Sequence, residues 1–226
     1  MKLNAIGERK SLGEDVYDHL KQAIIDQDIE PGARLVENRI ARMLGISRTP
    51  LREALHKLER EDWIEKMPAG GFKVMALSRE DIEETFGIRA VLEAYAARLA
   101  AEKHRSSDLA PLEKVMKKFQ DCLEKNRTAA LPDINTEFHD ILYAMSDSPR
   151  LIKMINQLRA QISRYREIIL KQEDFAAASF RDHADMLTAM RQKDANRVEA
   201  LVRAHILKGK QAVIHRIKEE DDRKSA

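Results

Sequence analysis

The strongest constraint on this chain lies between Ile40 and Leu58, where two short helical patterns are separated by Gly45-Ile46-Ser47. Ile40, Ala41 and Leu44 recur at helical spacing, and Leu51, Ala54, Leu55 and Leu58 do so again. The first pattern predicts a helix over about 37–44. Gly45 is placed to end it, because glycine takes the left-handed C′ conformation without a Cβ penalty. Ser47 is placed to cap the next helix by accepting a bond from an orphan N–H. Pro50 is tolerated in that first turn, where no helical donor is lost. The second helix leaves Arg48, Thr49, Arg52 and His56 on its other faces.

The flanks complete a unit. Val16, Leu20, Ala23, Ile24 and Ile25 predict an earlier helix, and Pro31-Gly32 stops it in a turn. After the second helix, Trp63-Ile64-Glu65-Lys66 and Phe72-Lys73-Val74 surround Pro68-Ala69-Gly70-Gly71, which predicts a β-hairpin. Three helices and a hairpin form a winged helix-turn-helix pattern. Charge supports a DNA partner: residues 34–60 carry seven Lys or Arg against three Asp or Glu, in a chain of net charge +2. A short helix, a tight turn and a basic start to the next helix meet the needs of major-groove docking.

Behind residue 76 the pattern is all-helical. Ser78 with Asp81 predicts a capped helix to about 103, and further helices are expected over 108–126, 132–146, 149–171, 175–192 and 195–218, ending in a frayed charged tail. The fold expected is mainly α, with a winged helix-turn-helix over 8–76 and a six- or seven-helix bundle over 77–219. A length of 226 residues suits two such domains. No apolar run approaches the roughly 18–20 residues that span a bilayer. The N-terminus has no apolar signal core, and the one cysteine, Cys122, excludes a disulfide scaffold and a cysteine-rich zinc site. A cytoplasmic location is the default expectation.

Three of the seven histidines stand on apolar faces. His183 lies with Phe180, Leu187 and Met190, and His205 with Val198, Leu201 and Val202. His139 flanks Phe138 and Leu142, with Asn135 one turn earlier on its own face. By themselves these residues admit two readings: hydrogen-bonded core histidines, or imidazoles converging on a divalent metal inside the bundle. Arg89 is spaced for an ion pair with Glu93, Tyr165 for core packing, and Asp140 and Asp182 for either solvent or the histidines. The dipeptide His139-Asp140 also admits a metal-dependent phosphohydrolase of helical type, which leaves the pattern over 31–74 unexplained.

The stretch Pro31–Glu37 with Ile40–Leu55 closely resembles the DNA-binding domain of GntR-family transcription regulators, nearly without a gap from Leu44 to Leu55. The helical region, with Phe138-His139, Asp182-His183 and His205, resembles more loosely the FCD effector domain of the FadR subfamily. Together the resemblances cover about residues 12–218. They imply a transcription regulator and not an enzyme: a homodimer that binds a double-stranded DNA operator under the control of a small metabolite, a carboxylate. Arg48, Thr49 and Arg52 match DNA-facing positions of the recognition helix, and Gly70 and Gly71 match the wing tip. Arg34 is a further candidate DNA contact. Asn38 stands where some relatives carry an arginine. Asp62-Trp63 replaces a more usual Gly-Leu pair, which is expected to alter the turn and not the fold. His139, His183 and His205 match metal-ligand positions for zinc, nickel or manganese. Asn135 replaces the usual aspartate, and a neutral amide oxygen weakens the attraction for a dication. Arg89 matches an arginine of the effector site, and Tyr165 is a second candidate there.

Overall fold

The computed structural model describes residues 11–26, 28–75, 78–162, 165, 169, 170 and 172–225, and the side chains of all of these except 173 and 219–225. Contacts divide the chain into two compact units, Met1–Ala76 and Leu77–Ala226. Residues 8–10, 76 and 77 of the expected domain limits lie outside the described residues.

The first unit contains α1 (Leu12–Ile25), β1 (Arg34–Leu35), α2 (Glu37–Leu44), α3 (Arg48–Arg60), β2 (Ile64–Lys66) and β3 (Phe72–Val74). Ser11 and Glu14 form a reciprocal capping box that starts α1. The apolar stripe of α1, Val16, Leu20 and Ile24, packs with Leu51, Leu55 and Leu58 of α3 into one buried core. Each such side chain contributes about 1.5–3 kcal/mol on burial. Gly45 ends α2 in the left-handed conformation at φ 65°. Ser47 holds the N-cap position of α3 with an extended backbone, but its hydroxyl accepts no bond from the helix. Its expected cap is therefore positional only. Asp62 takes φ 58° after α3, so the turn keeps a left-handed step without glycine, and Trp63 enters the core behind it.

The wing is larger than a hairpin. β1 adds to it, giving an antiparallel three-stranded sheet of order β1-β3-β2 with Arg34 opposite Lys73 and Leu35 opposite Phe72. A two-residue strand is too short to show an alternation in sequence. Its partner decides it.

The second unit contains α4 (Arg79–Lys103), α5 (Ala110–Glu124), α6 (Leu131–Ala144), α7 (Pro149–Gln161), α8 (Glu173–Arg191) and α9 (Ala195–Ser225), with short 3-10 turns before α5 and α6. The Ser78–Asp81 capping box forms, at 3.0 and 2.8 Å. Two expected helix ends differ. The helix expected over 149–171 stops at Gln161, where Ile162 leaves helical geometry at φ −107°, ψ 9°; 163, 164, 166–168 and 171 lie outside the described residues. The tail expected to fray continues α9 to Ser225. α4 packs mainly along α9, and the core between the helices is filled by Leu112, Phe119, Phe138, Leu142, Val198 and Val202.

Gly71 is the tightest backbone position of the wing. At φ 82°, a Cβ there would meet the Leu35 carbonyl oxygen at 2.7 Å, whereas one on Gly70 (φ 84°) would meet nothing. Left-handed geometry alone costs an L-residue about 1–2 kcal/mol. Gly70→Ala should therefore lower unfolding stability by about that amount. Gly71→Ala should lower it further and disturb the β1–β3 pairing; equal losses in paired denaturant titrations would contradict the steric argument.

Candidate functional site

The basic block divides: Lys57 lies over the Tyr17 ring, while Arg42 and Arg48 line one open groove. Arg48 and Thr49 open α3 as exposed residues, and Arg48 lines an open groove with Asn38 and Arg42 of α2. Arg52 points from the same helix, but its Nε donates to Glu37 Oε2 at 2.6 Å. Both side chains are partly solvated, so this ion pair is weak and exchangeable. Arg34 reaches across the sheet and donates to the Ala69 and Gly70 carbonyls at 3.3 and 3.0 Å. It braces the wing tip that Gly70 and Gly71 form.

In the helical unit, α6, α8 and α9 bring His139, His183 and His205 together. One ligand nitrogen from each lies within 4.8 Å of the others, and all three residues are buried. His183 is fully buried and stacks on Phe138 with ring centroids 4.1 Å apart. Hydrogen bonds orient the other two imidazoles. The Tyr143 hydroxyl donates to Glu93 Oε2 at 2.7 Å and lies 3.0 Å from His139 Nδ1. Its oxygen is then the acceptor for Nδ1–H, a tautomer assigned from the network. His205 Nδ1 lies 3.1 Å from Asp182 Oδ2, and Lys208 holds the other oxygen at 2.6 Å. Both arrangements leave Nε2 free as a ligand, the usual use of a partner behind a metal-binding imidazole.

His139 Nε2 and His183 Nε2 face each other at 3.3 Å. Two nitrogens bound at about 2.0–2.1 Å to a tetrahedral ion stand about 3.3–3.4 Å apart, so the pair already has a ligand spacing. His183 Nδ1 is buried with no hydrogen-bond partner. The clustering of three imidazole nitrogens, with His139 and His183 Nε2 at ligand spacing, fits a divalent metal. Asn135 is buried beside it, with Oδ1 accepting from Ser179 at 3.3 Å.

Asn135, His139 and His205 line a cavity of about 40 Å³ with Arg89, Arg159 and Ser179, closed by apolar residues such as Phe86 and Ile206. One buried water needs about 10–15 Å³ on this measure, so the space suits an ion with two or three waters, or a few ligand atoms. The expected Arg89–Glu93 pair forms at 2.7 Å and is almost wholly buried. Arg89 Nη1 nevertheless has no partner. Arg159 of α7, which periodicity gave no reason to single out, donates to Asp140 at 2.5 Å and leaves its buried Nη2 unpaired. Tyr165 is buried in the helical core and is not among the described residues lining the cavity. Asp140 serves Arg159 and lies outside the histidine cluster.

Electrostatics keep His139 and His183 in the ligand form. Burial, then the neighbouring histidines and the two arginines, hold His139 well below the usual imidazole range. Burial and His205 do the same to His183. For Asp182, burial works to raise the pKa, but bonds from His205 and Lys208 outweigh it and keep the carboxylate below its ordinary value. Burial, reinforced by Glu93, pushes Tyr143 well above the normal phenol range, so it stays a donor.

A winged helix followed in the chain by a separate helical unit with a histidine cluster defines a DNA-binding transcription regulator with an effector domain. Family models bear this out: the one described as bacterial regulatory proteins, gntR family, matches residues 12–74, and the FCD domain matches 84–208. The chain belongs to the GntR family and carries an FCD domain. It is 32% identical over 188 residues to the HTH-type transcriptional regulator McbR of Escherichia coli (strain K12), covering 81% of this chain and 84% of that one. It is 25% identical over 195 residues to the HTH-type transcriptional repressor RspR of the same strain, covering 86% of each. The solved structure of E. coli McbR/YncC superposes with a TM-score of 0.76 at 26% identity, covering 92% of this chain and 100% of that one. These relatives are regulators, not enzymes, and the phosphohydrolase alternative is not favoured. No described helix is long and apolar enough to cross a membrane.

The depressed histidines have a consequence for stability. Between their folded values and 6.5 the unfolded chain binds more protons than the folded one, so stability rises with pH across that window. Chelator-treated protein should lose thermal stability as the pH falls below 6.5, more steeply than a His183→Asn variant treated alike. Parallel Tm curves for the two between pH 7.5 and 5 would show that burial of His183 does not contribute.

Proposed function

We propose that this regulator is a homodimer whose operator affinity is switched by a small carboxylate bound at a divalent metal in the FCD cavity. The observation that carries this reading is a cluster of three buried histidines, two of which, His139 and His205, line one small cavity with Asn135 and two incompletely paired buried arginines. His139, His183 and His205 hold the ion, zinc, nickel or manganese, with Asn135 as a neutral fourth ligand. The metal, when bound, supplies a positive centre for a carboxylate oxygen. Arg89 Nη1 and Arg159 Nη2 supply donors for the rest of the anion, and forked guanidinium–carboxylate bonds are among the stronger polar contacts. Tyr165 acts through packing behind the site. The cavity volume favours a compact acid.

At the DNA, Arg48, Thr49 and Arg52 enter the major groove with the start of α3, while Gly70 and Gly71 bring the wing close to the backbone. Arg34 shapes the wing tip and adds positive charge there. Arg52 exchanges Glu37 for a base or phosphate on binding. Two copies present two such faces to a pseudo-palindromic operator. A carboxylate changes operator affinity only by binding the DNA-competent and incompetent states unequally.

Selection from a random duplex pool at near-physiological salt should enrich a short pseudo-palindrome. On that site Arg52→Ala should weaken binding by about 1–3 kcal/mol, and an unchanged affinity would remove α3 from the interface. Titration with two- to six-carbon mono- and dicarboxylates, in the presence of zinc, nickel or manganese, should shift operator affinity. His183→Ala should lose tight metal binding and this response while retaining DNA binding. Equal metal content in wild type and variant would refute the metal centre.

A further inference from the structure

The wall of the cavity is uneven in charge. The described residues that line it include two cations, Arg89 and Arg159, the Asn135 amide, the Ser179 hydroxyl, the His139 and His205 imidazoles, and no acid. The carboxylates behind these residues are already engaged. Glu93 gives Oε1 to Arg89 and Oε2 to the Tyr143 hydroxyl, and Asp182 gives its two oxygens to His205 and Lys208. Asp140 pairs with Arg159 from a side chain that is itself half exposed.

A filled site would therefore be short of negative charge. An imidazole that ligates a metal is neutral, and so is the Asn135 amide, so this ligand set leaves both charges of a divalent ion unmatched. Arg89 and Arg159 do not alter that count, because Glu93 and Asp140 match them. A charge taken out of water and left unmatched is costly. Two negative charges have to arrive with the ligand.

The unpaired donors point the same way. Arg89 Nη1 and Arg159 Nη2 are both buried without a hydrogen-bond partner. The Arg89 guanidinium is held by its Nε bond to Glu93 and by the Phe86 ring, whose centroid lies 4.7 Å from the guanidinium carbon. Asp140 holds Arg159 in the same manner. One carboxylate can meet these two preset donors, and a second, joined to it, is then left to face the metal. A space of about 40 Å³ keeps the link between them short.

We propose that the effector is a compact dicarboxylate bound as a dianion, and that Asn135, by keeping the protein's own ligand set neutral, makes the site select two negative charges over one. This rests on the metal-and-carboxylate reading above and narrows it from carboxylates in general to dianions.

Full-length protein loaded with zinc and freed of excess metal is titrated by calorimetry at neutral pH with malonate and with its monoamide, malonamate. The two have nearly the same size and differ by one charge. Malonate should bind more tightly by about tenfold or more, since the analogue leaves a buried charge unmatched. Asn135→Asp adds one negative charge with little change of shape, so it should abolish that preference. It should also slow zinc release to excess chelator without any anion, whereas wild type should need malonate for the same slowing. Equal affinities for malonate and malonamate in wild type overturn the dianion, and that comparison requires no variant to fold. Tighter binding of inorganic phosphate than of malonate overturns the dicarboxylate. A preference for malonate that persists in folded Asn135→Asp overturns the role of Asn135. Malonamate or acetate binding that requires zinc and is lost in His183→Ala, with no preference for malonate, defeats this inference and leaves the metal-and-carboxylate reading standing. Absence of both zinc and carboxylate binding defeats the two together.

Discussion

Glu93 is the charge on which the helical unit depends. It is fully buried, and a carboxylate so placed is tolerable only if its oxygens are bonded and its charge is met. Arg89 provides the opposite charge from one turn earlier on α4, and Tyr143 provides a hydroxyl from α6. Burial works against the charge on Arg159, but Glu93, Tyr143 and Asp140 outweigh it. The cluster fastens α4, α6 and α7 together more specifically than apolar packing alone would. Through Tyr143 it also sets which nitrogen of His139 faces the cavity. Structure and ligand chemistry are one network here, so a change at the cavity is a change in how these helices are tied.

This gives α4 two faces with different work. Its inner side carries Arg89 into the cavity, and its outer side exposes Ile88, Val91 and Tyr95. The first unit has a comparable economy. Arg52 is held by Glu37, and Arg34 donates to the Ala69 and Gly70 carbonyls at the wing tip.

Local rules made much of this visible in the sequence. The Gly45 stop, the Ser78–Asp81 box and the period of the α3 stripe are short-range devices, and each formed where its residues stand. The three histidines were legible as candidates because imidazoles are conspicuous on apolar faces. The Arg89–Glu93 pair was legible because four residues is one helical turn. The failures are also physical. Ser47 has the right residue type for a cap, but whether its hydroxyl turns toward an amide depends on a rotamer that no spacing specifies. β1 is two residues long and exists because β3 runs beside it. Nothing in the spacing of α7 marks Arg159, because its pairing with Asp140 of α6 and its burial come from the closed bundle.

The sequence by itself determined the element types, the winged helix pattern and the residues available for ligand and DNA contact, because helix periodicity, caps and turn glycines act over four or five positions. Only the tertiary structure decided which of those residues meet. That His139 and His183 stand 3.3 Å apart across 44 residues, that Asp182 orients His205 rather than its neighbour His183, and that two arginines each keep a buried donor unpaired are outcomes of packing between helices. Such long-range pairings are set by the closure of the whole core, which fixes all the helix registers at once and leaves no local mark on the chain.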